Sequence, residues 1–195
     1  MRRMRLTATL TAALLLLAGC GAQQGADEGN QPHKRPDQAQ QQPEPETSER
    51  GNRVKHIGDT AYIYADASRK TELARWTVTN ITLDAPCTDE GAEPPEIGHM
   101  VVMDVTARTT KDLPTDQTLY LGVTGDWQYV LKDGTISNAP VQGSAELCLP
   151  RADRLPSEIG PASKAQGKLV FDLPTTDGYL IYKGGDATGW EYPLS

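Results

Sequence analysis

Three histidines, three cysteines and a single phenylalanine are all that this 195-residue sequence contains of those residue types. His33, His56 and His99 stand far apart, without the spacing that lets two imidazoles grip one metal ion. A Gly-x-Ser-x-Gly elbow and a Ser-x-x-Lys pair are both missing, which removes the common serine-hydrolase arrangements. Gly184-Gly185 is followed by Asp186-Ala187 instead of a Lys-Ser or Lys-Thr pair, so it reads as a turn and not as a phosphate-binding loop. No apolar run reaches the ~20 residues that a membrane-spanning helix requires. No catalytic residue is assigned on this basis, and neither a metal nor a cofactor is expected.

What is present begins at the first residue. Arg2, Arg3 and Arg5 precede an apolar run from Leu6 to Ala18, which ends in Leu17-Ala18-Gly19-Cys20. This is the layout of a lipoprotein signal peptide over residues 1–19, with small residues where a peptidase must reach the backbone and a thiol where diacylglycerol is attached. Cys20 is the expected lipidation site, in a diacyl or an N-acylated triacyl form, and the lipid is the expected contact with the membrane. The chain is thus expected to be extracytoplasmic and lipid-anchored to a bacterial cell membrane.

Residues 20–53 read as a disordered tether. From Gly21 to Arg53 the sequence has no aromatic residue and no valine, and it is built from Gln, Pro, Glu, Asp, Gly and Asn. Such a composition buries too little apolar surface to offset the entropy of folding. Its length corresponds to roughly 30 Å as a flexible coil and about 110 Å when fully extended. The charge balance points the same way as the anchor. Without the three leader arginines, the 19 basic residues become 16 against 26 acidic ones. Nucleic acid is excluded as a partner by that excess, and broad contact with anionic lipid headgroups is disfavoured.

Residues 54–195 are long enough for one domain with its own core. Val101, Met103, Val105 and Ala107 alternate with Val102, Asp104, Thr106 and Arg108, the period of two that defines a half-buried strand. The same pattern recurs at Leu119, Leu121 and Val123, at Trp127, Tyr129 and Leu131, and at Leu169, Phe171 and Leu173. Trp76, Val78, Ile81 and Leu83 change parity near Thr79-Asn80, which a β-bulge would reconcile. Asp133-Gly134 signals a hairpin turn with positive φ at both positions, and Asp177-Gly178 looks similar. With Ala61 to Ala65 and Trp190 to Tyr192, seven to nine short strands are expected, the count of an all-β sandwich with Greek-key connections. Cys87 and Cys148 are expected to form a disulfide in an oxidising compartment, the alternatives being two buried thiols or a metal pair.

The order of several short stretches carries a family resemblance. Gly58-Asp59-Thr60, Trp76-Thr77-Val78-Thr79, Gly98-His99-Met100-Val101-Val102-Met103-Asp104-Val105, Lys132-Asp133-Gly134 and Gly167-Lys168-Leu169-Val170-Phe171-Asp172-Leu173-Pro174 occur in sequence. Taken together, they resemble the telokin-like, immunoglobulin-like domain of unknown function found in bacterial lipoproteins and secreted antigens. The resemblance implies an immunoglobulin-like β-sandwich and brings no catalytic residue with it.

Two loops fall outside the strand pattern, Asp84 to Glu96 and the stretch after Pro150. The first holds Asp84, Asp89, Glu90, Glu93 and Glu96 without a basic residue, and is the candidate partner-binding loop. It lacks the Asp-x-Asp-x-Asp-Gly order of a calcium loop. Functionally, a non-catalytic binding module facing a protein or cell-wall partner is expected. The alternatives are an envelope hydrolase with a carboxylate site on the sandwich rim and a structural or assembly subunit.

Overall fold

The structure, a computed structural model, describes residues 46–122, 126–137, 143–184 and 188–194. Cys20, the signal peptide and most of the expected tether lie outside the described residues, as does Val123. The strands are β1 (Arg53–Val54), β2 (Thr60–Tyr64), β3 (Glu72–Thr82), β4 (His99–Thr109), β5 (Trp127–Val130), β6 (Ile136–Ser137), β7 (Lys164–Leu173), β8 (Tyr179–Tyr182) and β9 (Trp190–Pro193). One short helix, α1 (Ser144–Leu147), lies between β6 and β7. Among the described residues no helix is long and apolar enough to cross a membrane.

The strands form two sheets, one in the order β2-β3-β4-β7 and the other β1-β9-β8-β5-β6. The chain leaves the first sheet after β4, makes β5 and β6 in the second, returns for β7, and crosses again to β8 and β9. That crossing pattern is the Greek-key wiring of an immunoglobulin-like sandwich, and β1 closes it by pairing parallel with β9. The fold class is therefore the one expected.

The core lies between the sheets. Val101, Met103, Val105 and Ala107 of β4 face it, as their alternation requires, together with Trp76, Val78, Phe171, Leu173, Leu180 and Tyr192. With one phenylalanine available, indoles and phenols fill the space, and each polar tip then needs a partner. Trp76 Nε1 donates to the Tyr192 hydroxyl at 2.9 Å, and Trp127 Nε1 donates to the Leu121 carbonyl at 2.7 Å. Trp76 packs edge-on against Tyr182 and Trp190, with ring centroids 5.1 and 4.8 Å away.

Of the local expectations, the bulge holds, the first turn holds in altered form and the second turn fails. The parity change in β3 is a register shift between Val78 and Asn80, so Thr79 is the extra residue of a bulge. The Asp133-Gly134 turn joins β5 to β6, but positive φ falls on Gly134 alone, at +88°. Gly134 N donates to the Leu131 carbonyl at 2.9 Å and Leu131 N to Thr135 at 2.8 Å, the pattern of a three-residue hairpin loop with a glycine bulge. Asp177-Gly178 is not a hairpin, because it carries the chain from β7 in one sheet to β8 in the other.

Three further expectations need correction. Leu119 and Leu121 are buried but form no strand: Leu119 pairs only through an isolated bridge to Ile159, and the Leu121 carbonyl accepts a side-chain bond. Alternation there reflects a loop dipping into the core at every second residue. Val102, expected to face solvent, is buried in a second cluster with Met100, Ala145, Leu149 and Val170, since α1 and the loop before β4 cover that end of the sheet. The folded part does not begin at Val54 as expected. Residues from Glu46 onward belong to the folded domain, where Asn52 is 1% exposed and Arg53 is already in β1. A buried carboxylate, Glu191 of β9, draws this polar segment in: it accepts bonds from Ser48 Oγ (2.8 Å), Asn52 Nδ2 (3.0 Å) and the Arg50 guanidinium. Hydrogen bonding holds the segment where apolar burial could not.

Candidate functional site

The acidic loop is fixed at both ends. Cys87, in the connection from β3 to β4, is bonded to Cys148, which follows α1 directly. At the other end Asp172 of β7, 1% exposed, accepts bonds from the backbone N–H groups of Glu96 (2.6 Å), Ile97 (3.1 Å) and Gly98 (3.0 Å) and from Ser144 Oγ (2.8 Å). Burial alone would push the Asp172 carboxyl up, but these donors together outweigh it and hold it below its ordinary value.

Between those anchors the predicted residues do not converge. Asp84 is hydrogen-bonded to His99 Nδ1 at 2.6 Å, and Asp89 accepts the Gly91 N–H at 2.9 Å. Glu90, Glu93 and Glu96 are exposed. Among the described residues no group of three His, Cys, Asp or Glu side chains could hold a metal ion. The loop is an acidic surface held at both ends, without a cluster of carboxylates among the described residues that could share one ion.

The loop after Pro150 contributes more shape. With α1 and the end of β7 it walls a cleft of about 690 Å³. Buried Leu121, Trp127, Leu155, Leu169 and Phe171 form its apolar lining, while Glu146, Arg151, Ser157 and Glu158 are exposed. The strap reaches this position because Gly167 has no side chain: a Cβ there would lie 2.5 Å from Leu155 N. Leu155 N instead donates to the Lys168 carbonyl at 2.9 Å. Arg154, on the same strap, donates from Nη1 to the Glu146 carbonyl at 2.7 Å, while its buried Nε has no partner among the described residues. A buried N–H left unpaired is costly.

Sequence reasoning located this loop as unpatterned but missed Arg154, Asp172 and Glu191, since nothing in the spacing marks which charged residue of a strand or strap turns inward. The two-sheet domain with its crossing connections defines an immunoglobulin-like β-sandwich. Its fold is similar to that of a secreted protein of Mycobacterium tuberculosis, MPT63, known from a 1.5 Å crystal structure. The TM-score is 0.49 at 13% identity, over 73% of this chain and 97% of that one. No protein-family model matches the sequence, and the curated proteins give no match.

Proposed function

We propose that the chain is an extracytoplasmic, lipid-anchored binding protein whose sandwich domain captures a small amphiphilic ligand in the cleft beneath the Pro150 loop. The observation that carries this reading is the pairing of an apolar wall, Trp127 with Phe171, Leu155 and Leu169, with the arginines Arg151 and Arg154 that line the same cleft. Pockets of this size, mostly apolar with a few placed polar groups, are the usual form of small-molecule sites. A ligand with an aromatic or branched body and a carboxylate, sulfate or phosphate oxygen would satisfy both parts. Asp172 and Glu191 support a non-catalytic role, because their oxygens are occupied by structural donors. The telokin-like grouping and the lipid on Cys20 belong to the same proposal. The acidic loop remains a second surface for a basic protein or cell-wall partner, supported by its fixed ends.

Two measurements test the two halves. Calorimetric titration with naphthoate, an anionic aromatic probe, should show saturable binding, and Ser157→Trp, which fills the mouth of the cleft, should weaken it at least tenfold without lowering the melting temperature. Unaltered affinity would remove the cleft from the proposal. Independently, Cys20→Ala should abolish incorporation of a fatty-acid analogue in cells and leave the signal peptide uncut; retained labelling would refute the anchor.

A further inference from the structure

We infer that the outer face of the four-stranded sheet binds a linear polyanion whose anionic groups are carried on sugar or polyol units. The strand register sets Tyr62 opposite Arg75, Arg75 opposite Arg108 and Arg108 opposite Lys164. One row across all four strands therefore runs from an aromatic ring through three cations. Neighbouring strands lie about 4.8 Å apart, so the three cationic stems leave the sheet over roughly 10 Å. Like charges directly opposite one another weaken a sheet. The chain has 26 acidic residues against 19 basic ones, so an excess of carboxylates was available to break this row and was not used there. Glu72 reaches Arg75 at 3.6 Å, whereas Arg108 and Lys164 are exposed and have no ionic partner among the described residues.

The next row of the same face is neutral and rich in hydrogen-bonding groups: Thr60 opposite Thr77, Thr77 opposite Thr106, Thr106 opposite Gln166. A groove of about 410 Å³ is lined by residues of both rows. At its end Tyr62 stacks on Tyr64, with ring centroids 5.8 Å apart. A small anion would use one or two of these cations. The combination of a cationic row, a parallel row of hydroxyls and an amide, and a tyrosine platform fits a chain that alternates charged groups with hydroxylated units, whose C–H faces can lie on the rings. An anionic bilayer fits less well, because a broad array of headgroups would also press on Glu72 and Asp104 of this face, whereas a single chain can follow the cationic row.

This surface shares no lining residue with the cleft, so either reading can fail alone. The test is titration of the purified domain-bearing protein with a glycerol-phosphate oligomer. Arg108→Ser with Lys164→Ser should lower affinity at least tenfold at low salt, and should flatten the fall of affinity that the unsubstituted protein shows as sodium chloride is raised. The melting temperature should stay level or rise, since the substitutions relieve repulsion. Tyr62→Ala should also weaken binding, with the salt dependence kept. Unchanged affinity in the double variant would overturn the inference. So would equal binding of poly-glutamate or of phosphatidylglycerol vesicles, which would reduce the face to a general attraction for negative charge.

Discussion

Glu191→Gln is expected to release the segment before β1 and to lower stability by about 2–3 kcal/mol. The carboxylate side chain is 2% exposed and is the common acceptor for Ser48, Arg50 and Asn52. Removing its charge leaves Arg50 facing a neutral amide and exchanges charge-assisted bonds for ordinary ones, and breaking one side of a buried ion pair is among the costlier single changes. Arg50 keeps partial exposure at 30% and its guanidinium lies 4.1 Å from the centre of the Tyr179 ring, which tempers the loss. Trypsin provides the readout. The native protein should resist cleavage after Arg50 and Arg53, whereas the variant should be cut at those two sites. An identical cleavage map would show that the clasp is held by other contacts.

Acid should act on the same group. Burial pushes Glu191 up, but the bonds from Arg50, Asn52 and Ser48 outweigh it, so its folded value lies below the ordinary one; Asp172 is depressed in the same sense by its backbone donors. A carboxyl depressed by folding contributes stability that is complete above its unfolded pKa, about 4.3 for Glu and 3.9 for Asp, and is lost as pH falls through the lower folded value. Melting temperature should therefore be level near neutrality and fall steeply below roughly pH 4. Glu191→Gln should fall less steeply over that interval.

How much of this was legible beforehand depends on which side of the chain faced water. Strands with alternating apolar residues, such as Val101 to Ala107 and Leu169 to Leu173, announce themselves because every second residue faces the core between the sheets. The same logic misplaced Val102, for the outer face of β4 is dry at one end, where α1 and the disulfide-bound loop cover it. It also credited Leu119 and Leu121 with a strand, since a loop that touches the core at alternate residues imitates the pattern. The ordered segment from Glu46 to Asn52 was invisible to composition, because its partner Glu191 is about 140 residues away and the attraction is between polar groups. The cationic row was equally hidden. Arg75, Arg108 and Lys164 are widely spaced along the chain, and only the register of three strand pairs brings them side by side.

Reduction of the Cys87–Cys148 bond, or its removal by Cys87→Ser, is expected to cost up to about 4 kcal/mol and to lower the melting temperature by roughly 10 °C. The bond closes a separation of 61 residues, and a crosslink of that span removes much of the freedom of the unfolded chain. Its native-state consequences should be local. Thr88 N and Asp89 N donate to the Cys148 carbonyl at 2.8 and 3.2 Å, so the bond fixes the start of the acidic loop against the end of α1. Beneath lie Met100, Val102, Leu149 and Val170, the small cluster on the outer face of β4 and β7. Asp172 would still hold the far end of the loop through three backbone N–H groups. Hydrogen exchange should consequently speed up in residues 84–92 and 143–150, while the amides of β5, β8 and β9 in the opposite sheet keep their protection. The cleft should respond as well, because Ala145 and Glu146 of α1 line it. Naphthoate should bind the reduced protein more weakly, and Asp172→Asn combined with reduction should lose more than the two changes separately, since both hold the same loop. Equal melting temperatures with and without reductant, or exchange that rises uniformly across both sheets, would show that the bond does not act through this loop and its cluster.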